Sequence, residues 1–364
     1  MMKKFISAVL IVALMSPGLS AAAETSTTSG SNNTVSVSLN TIEQIWTKSS
    51  PDLTKINNDL EVSKTTYDYL KYTNDIISSN VLIDSTGFLS YEKATIQNSL
   101  GQAKIAYDIA NTQYNAKIQN AILSAKQTFI ACWQDELNIS VSQASLSQKQ
   151  KQLLNYSDGL SKGYISQKNY ADLKNSVDNL QNTVNSLNTK LIADEDTLKM
   201  KLGLDLNTNP KFTYPNLNED VMGGLMTMDQ AADLKTLLTN SVNIKVLEIT
   251  YNDMNSYSVS STSAQFIAAY QNIATARTNT ETSFTISYNN LLNQYSDLKN
   301  SYQNLAEEKD TLDKTQQKYS LGFVSALALS NINLEYTSME AALKVKESSV
   351  YSTFLSYMNM VAGN

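Results

Sequence analysis

Between Asp52 and Asn209 the chain carries no proline, and it carries none again from Asn216 to Asn364. Proline removes a backbone donor and fixes its own φ, so its absence over such stretches favours long uninterrupted helices. Apolar residues recur through the first stretch in steps of three and four, at Leu100, Ala103, Tyr107, Ala110, Tyr114, Ile118, Ala121, Ala125, Phe129 and Cys132. That period predicts a single helix from about Tyr91 to about Leu160, roughly 105 Å long at 1.5 Å per residue. No ordinary globular domain houses such a helix, and the expected fold class is all-α with a coiled-coil architecture.

The pattern occurs twice. Leu173, Val177, Leu180, Val184, Leu187, Leu191, Leu198 and Leu202 are matched, at a constant offset of 159, by Ile332, Tyr336, Met339, Leu343, Lys346, Val350, Tyr357 and Val361. Only Lys346 breaks the apolar match. The same offset pairs Ile139, Leu146, Leu153 and Leu160 with Leu298, Leu305, Leu312 and Tyr319, each series in heptad steps. Between the two series lie the turns Lys162-Gly163-Tyr164-Ile165-Ser166 and Leu321-Gly322-Phe323-Val324-Ser325. Each copy therefore reads as an αα-hairpin whose helices share a heptad seam and whose reversal uses glycine. A weaker correspondence links Val37 to Leu53 with Leu225 to Ile244, and Pro210 and Pro215 interrupt the helical pattern between the copies. A short strand is expected at Lys211 to Tyr214.

Composition removes most chemistry. The 364 residues include no histidine, one cysteine and, as the only arginine, Arg277, with a formal net charge of −6. Imidazole-activated nucleophiles and HExxH zinc sites are excluded, and a phosphate-binding surface finds no support, so neither an enzyme nor a nucleic-acid partner is expected. No cofactor or metal motif is present. Cys132 reads as a small core residue and the aromatics at heptad positions as seam packing. Asp194-Glu195-Asp196 reads as a solvated face with Asp194 at its seam edge, and the charges from Glu307 to Lys314 as exposed i,i+4 pairing.

The N-terminus has a basic start, an apolar run from Phe5 to Met15 and a small-residue site at Ala21, Ala22 and Ala23. This is the form of a signal peptide and directs the chain out of the cytoplasm. The expected organisation is a signal peptide at 1–23, a flexible leader at 24–38, a first helical repeat at 39–204, a linker at 205–224 and a second repeat at 225–364.

The duplicated order of a short amphipathic opening, Ser50-Pro51-Asp52-Leu53, a very long helix, a Tyr-x-x-Gly turn and a heptad helix closing on Lys201-Leu202-Gly203 or Val361-Ala362-Gly363 resembles the TolC-like outer-membrane efflux duct family. The resemblance covers nearly all of the mature chain. It implies a homotrimer closed into an α-helical tunnel, set in the cell envelope and working with a periplasmic adaptor and a membrane transporter. It further implies docking at a tip formed by Gly163, Tyr164, Ile165 and Ser166 with Gly322, Phe323, Val324 and Ser325. The tunnel constriction would fall six and nine positions beyond each turn glycine, at Asn169, Asp172, Ala328 and Asn331, where only Asp172 is acidic.

The chain departs from the family where the membrane barrel should be. A transmembrane strand needs about 9 to 11 residues. The intervals Asn80 to Ser90 and Met254 to Ala264 hold no pair of such strands with a turn, so the barrel hairpins are expected to be absent. Membrane contact is then weak, through Val81, Leu82, Ile83, Phe88 and Leu89, or made by partners. The alternative function is an exported coiled-coil scaffold or surface protein that keeps the fold without transport. Neighbouring genes for an adaptor and a transporter would distinguish the duct from the scaffold.

Overall fold

In a computed structural model, which describes residues 35–79, 88–256 and 264–364, left-handed backbone occurs at four glycines that fall into two pairs. Gly163 and Gly322, both at φ 77°, reverse the two hairpins, whereas Gly203 (φ 66°) and Gly363 (φ 92°) end their second helices. The repeat read from the sequence is thus a repeat of backbone conformation.

Chain order follows from these stops. Strand β1 (Ser36–Val37) leads into α1 (Leu39–Ser49), α2 (Pro51–Ser79), α3 (Phe88–Ser161) and α4 (Gln167–Leu202). The connection carries β2 (Lys211–Phe212) and α5 (Glu219–Leu225), and the second copy is α6 (Gln230–Asn240), α7 (Val242–Ser256), α8 (Ala264–Ser320) and α9 (Ala326–Val361). The 74 residues of α3 span roughly 110 Å. The boundaries expected from periodicity, Tyr91 and Leu160, lie within a turn of those observed.

The weak opening correspondence is also structural. Both α1 and α6 have 11 residues and stop at a buried serine, Ser50 or Ser241, whose N–H donates to Trp46 O at 2.9 Å or Leu237 O at 2.7 Å. Extended ψ at each serine breaks the helix. Pro51 then starts α2 at a position where its missing N–H costs nothing. At the first break, Ser49 Oγ donates to Leu202 O at 2.8 Å, and at the second the N–H of Val242 donates to Gly363 O at 2.9 Å. Each hairpin is thereby pinned to its own opening helix.

Two apolar cores lie at these bases. Ile42, Trp46 and Val37 pack with Phe129 and Cys132 of α3 and with Leu198 and Leu202 of α4. In the second core Phe284, Leu291 and Leu298 of α8 meet Leu343, Val350, Tyr357 and Val361 of α9. Tyr214 bridges them: its ring stacks on Trp133 at 5.6 Å and touches Phe129 at 5.1 Å, while its hydroxyl donates to Glu136 Oε1 at 2.5 Å. Farther along the first hairpin the seam continues through Leu146, Val177 and Val184. Cys132 is a core residue as expected, and burial pushes its thiol up to about 12.

Three local differences from the sequence reading stand out. Ser36–Val37 and Ser38 fell within the range assigned to a leader, yet β1 pairs in parallel with β2 and the Ser38 N–H donates to Thr41 Oγ1 at 2.8 Å. Val37 is fully buried, and that apolar contact orders the segment. The expected strand in the linker is present but stops at Phe212, and the linker also holds α5, capped by Asn218 Oδ1. Finally, Asp194 stays partly exposed at the seam edge but shares the exposed Lys190 with buried Asp135, a partner that the sequence reading did not foresee.

The signal-peptide range 1–23 and leader residues 24–34 lie outside the described residues, as do Val81, Leu82 and Ile83. Of the two expected junctions, residues 88–90 belong to α3 and 254–256 to α7, and 80–87 and 257–263 lie outside the described residues. Among the described residues no helix is long and apolar enough to cross a membrane.

Candidate functional site: the paired turns

The turns are built by one recipe used twice. In the first, the N–H groups of Gly163 and Tyr164 donate to Leu160 O at 3.1 Å and Gly159 O at 2.8 Å. In the second, those of Gly322 and Phe323 donate to Tyr319 O at 2.9 Å and Lys318 O at 2.8 Å. Ser166 and Ser325 then cap α4 and α9, accepting from Asn169 N at 3.2 Å and Ala328 N at 3.1 Å. Neither Gly163 nor Gly322 has an atom within 4 Å of where a Cβ would sit, so φ alone demands glycine there.

This geometry turns an aromatic side chain of each turn into solvent, joined in the second turn by Leu321. Tyr164 is 82% exposed and Phe323 is 77% exposed, whereas Ile165 and Val324 are half-buried beneath them. Ile165 fits because residue 159 is glycine: a Cβ there would stand 2.7 Å from Ile165 Cγ1. In the second turn, Lys318 occupies the equivalent position.

Both turns lie at the same end of the hairpins, because α3 and α9 run antiparallel in contact. Asn359 Nδ2 donates to Asn120 Oδ1 at 2.7 Å, Gln127 Nε2 to Ser356 Oγ at 2.9 Å, Gln134 Nε2 to Ser348 Oγ at 2.9 Å, and Gln148 Nε2 to Asn331 Oδ1 at 2.8 Å. The α3 members of this ladder fall at heptad positions. Sequence reading passed over them because it followed the apolar series, although a seven-residue run of amides is as legible as one of leucines.

The expected constriction positions occupy the first two turns of α4 and α9. Asp172 binds Lys168 at 2.7 Å, both exposed, and that hydrogen bond holds the lysine above its ordinary range. Asn331 is engaged by Gln148, Ala328 is half-buried, and the Asn169 backbone is part of the cap. The one acidic side chain of the four is therefore already paired with a neighbouring cation. Among the described residues no group of three or more metal-ligating side chains is present.

Two buried carboxylates were missed by sequence reading. Asp135 accepts from Lys190 Nζ at 2.7 and 2.6 Å, and Lys190 also reaches Asp194 at 2.9 Å. Glu347, 1% exposed, accepts from the Tyr302 hydroxyl at 2.7 Å and lies 3.2 Å from Lys344 Nζ. Burial and the facing carboxylate push the Tyr302 phenol up. Both sets lie in helix seams, and Glu347 Oε2, buried without a hydrogen-bond partner, has only the charge of Lys344 beside it.

No family model matches the sequence, and no curated protein matches it. Solved structures do. CusC, described with conformational changes that accompany folding and transmembrane channel formation, matches with a TM-score of 0.62 over 93% of this chain and 96% of its own, at 10% identity. The outer membrane protein VceC of Vibrio cholerae matches with a TM-score of 0.60 over 90% and 96%, at 10% identity. The CmeC outer membrane channel of Campylobacter jejuni matches with a TM-score of 0.58 over 89% and 85%, again at 10% identity. Identity this low speaks for the fold alone. In that fold, two tandem repeats of long helical hairpins, the chain is similar to the TolC-like outer-membrane efflux channels.

Proposed function

We propose that this chain is a non-enzymatic protomer of an export duct in the cell envelope, three copies of which close into a hollow helical tunnel. The paired turns form its tip and dock a periplasmic-type adaptor that links the duct to a membrane transporter. The observation that carries this reading is the placement of Tyr164 and Phe323, exposed in matching turns at one end of a fold similar to that of channel proteins. Large aromatic side chains held in water by a fixed turn are suited to fill pockets on a partner. Export of the chain itself rests on the signal-peptide pattern before Glu24.

One observation favours a second reading. Only residues 80–87 separate α2 from α3, and only 257–263 separate α7 from α8, which is less than one transmembrane strand in each interval. A scaffold that kept the fold and gave up its own membrane barrel accounts for those short intervals, and so does a duct that reaches the membrane through partners.

Light scattering on the mature chain tests the assembly, with a mass near three protomers expected and a stable monomer at micromolar concentration ruling out a closed tunnel. The double substitution Tyr164→Asp and Phe323→Asp tests the tip. It should abolish export in cells while leaving helicity and assembled mass unchanged, since neither side chain lies in a seam. Undiminished export by that variant would remove the docking role from the turns.

A further inference from the structure

The base of the second hairpin has a cleft between α6, α7 and α8. It measures about 600 Å³, within the range of small-molecule sites. Its apolar side is made by Leu234 and Leu238, both half-buried, and by Ile244, which is 1% exposed. Beside them stand three cations, Lys235, Lys245 and Arg277, and of the lining residues Glu248 alone is acidic.

Composition promised no anion-binding surface, yet positive charge collects here. Arg277 is the one arginine of the chain. Its Nη2 donates to Glu248 Oε1 at 2.8 Å, which steadies the guanidinium while taking one of its five N–H groups. Among the described residues Lys235 and Lys245 form no ion pair. Asp233, the acid of α6, is turned to the core, where its carboxylate accepts from the Tyr357 hydroxyl at 2.7 Å. Three cations against one carboxylate leave a surplus of two positive charges, in a chain whose formal net charge is −6.

The first copy lacks these side chains. With Ser241 aligned on Ser50, Leu234, Lys235 and Leu238 fall on Glu43, Gln44 and Thr47, all exposed. Lys245 falls on Thr54, and Glu248 on Asn57, whose Oδ1 accepts from the Tyr114 hydroxyl at 2.7 Å. Arg277 falls, at the offset of 159, on Ile118, which packs against the first core. The one cation among the aligned positions, Lys48 in place of Thr239, is balanced by Glu43. Because the first copy folds with the same plan, the fold itself requires neither the apolar side of the cleft nor its charge.

We infer that the cleft binds an amphiphilic anion, its charged head on Arg277, Lys235 and Lys245 and its apolar tail along Leu234, Leu238 and Ile244. A guanidinium meets a carboxylate, sulfate or phosphate edge with two N–H groups at once, and the lysines add charge without demanding one geometry. The tail leaves water against the leucines and Ile244. Each part needs the other, since an exposed ion pair contributes little by itself and an open apolar strip does not choose its ligand. All the residues come from one copy, so the site is independent of the duct reading.

Isothermal titration calorimetry of decanoate on the full mature chain at neutral pH tests it. One decanoate should bind per chain. Acetate, the head alone, and decyl glucoside, the same tail under a neutral head, should each bind about ten-fold more weakly or worse. Combining Lys235→Gln, Leu238→Thr and Lys245→Thr, the residues that the first copy already tolerates, should weaken decanoate binding by about ten-fold or more with helicity and assembled mass unchanged. Arg277→Gln should weaken it by about five-fold or more, whereas Lys48→Gln should leave it unaltered. Absence of decanoate binding, or undiminished binding by the triple variant, overturns the site. Decyl glucoside bound as tightly as decanoate overturns the role of the cations, and acetate bound as tightly overturns that of the apolar side.

Discussion

The first hairpin, α3–α4, and the second, α8–α9, share a backbone plan but satisfy their seams with different chemistry. In the first, Asp135, Lys190 and Asp194 form an ionic cluster across the seam. In the second, the equivalent positions are Gln294, Ser349 and Thr353, and the Thr353 hydroxyl donates to Gln294 Oε1 at 2.9 Å. The difference runs the other way two residues before Lys190 and Ser349. Glu347 is buried in α9, whereas its counterpart Asn188 turns its amide back to Val184 O of its own helix at 2.8 Å. Heptad seams and turns therefore fix the backbone, while each buried polar position asks only that its hydrogen bonds close.

The largest test of this division sets a base glycine against a tip glycine. A Cβ on Gly203 would stand 1.9 Å from the carbonyl oxygen of Ser49, whereas one on Gly163 has nothing within 4 Å, and both residues have positive φ. Gly203→Ala should cost about 3 kcal/mol in urea unfolding, combining strain with a backbone clash, and Gly163→Ala about 1 kcal/mol from strain alone. Equal losses would mean that the base does not hold the hairpin.

A smaller effect is expected at the buried carboxylate of the second hairpin. Glu347→Ala leaves the Tyr302 hydroxyl unpaired in a seam and should lower stability by about 2 kcal/mol, while Asn188→Ala in the first hairpin should cost about 0.5 kcal/mol. If the order is reversed, the ionic position of the second hairpin is dispensable. Gln134→Ala, which removes amide bonds to Ser348 and Ser349, should cost about 1 kcal/mol and leave both hairpins helical by circular dichroism.

The smallest effect separates the hairpins by pH. Burial holds the Asp135 carboxyl above the usual carboxylate range, and the hydrogen bond from Lys190 holds Asp194 below it. A raised folded pKa means that the contribution of Asp135 is complete below its unfolded value and is lost as pH rises through the folded one. The contribution of Asp194 has the opposite sign, being complete above its unfolded value and lost as pH falls through the folded one. Asp135→Asn cannot titrate, so the stability of the wild type relative to this variant should rise as pH falls from 7 toward about 4. Substituting Gln294 by Ala should give a difference that is flat over the same range.

The features legible in the sequence were those with a period. Leu298, Leu343 and Val350 announced a seam because apolar residues three, four and seven apart can share only one helix face, and Gly163 and Gly322 announced turns because they interrupt it. Ser50 and Ser241 as matched helix breaks were visible only as a loose correspondence, since serine forms helix and extended backbone alike. The partnering of Asp135 with Lys190, and of Tyr302 with Glu347, joins residues 55 and 45 positions apart on different helices. No local spacing encodes such pairs. The exposure of Tyr164 and Phe323 followed only once the turn hydrogen bonds were placed.

The parallel pair of β1 with β2 constrains the order in which the chain assembles. Ser36 faces Lys211 and Val37 faces Phe212, so a strand that precedes α1 binds a segment that follows the whole of the first hairpin. Closing so wide a loop carries an entropic cost that helix formation and hairpin zipping do not. In a chain delivered from its N-terminus, α1 and α2 can form early, but Val37 keeps its apolar side chain in water until α4 and the segment after it have arrived. The first repeat is therefore locked late, by a two-residue strap, and until then its base remains open to any chaperone that binds exposed apolar segments.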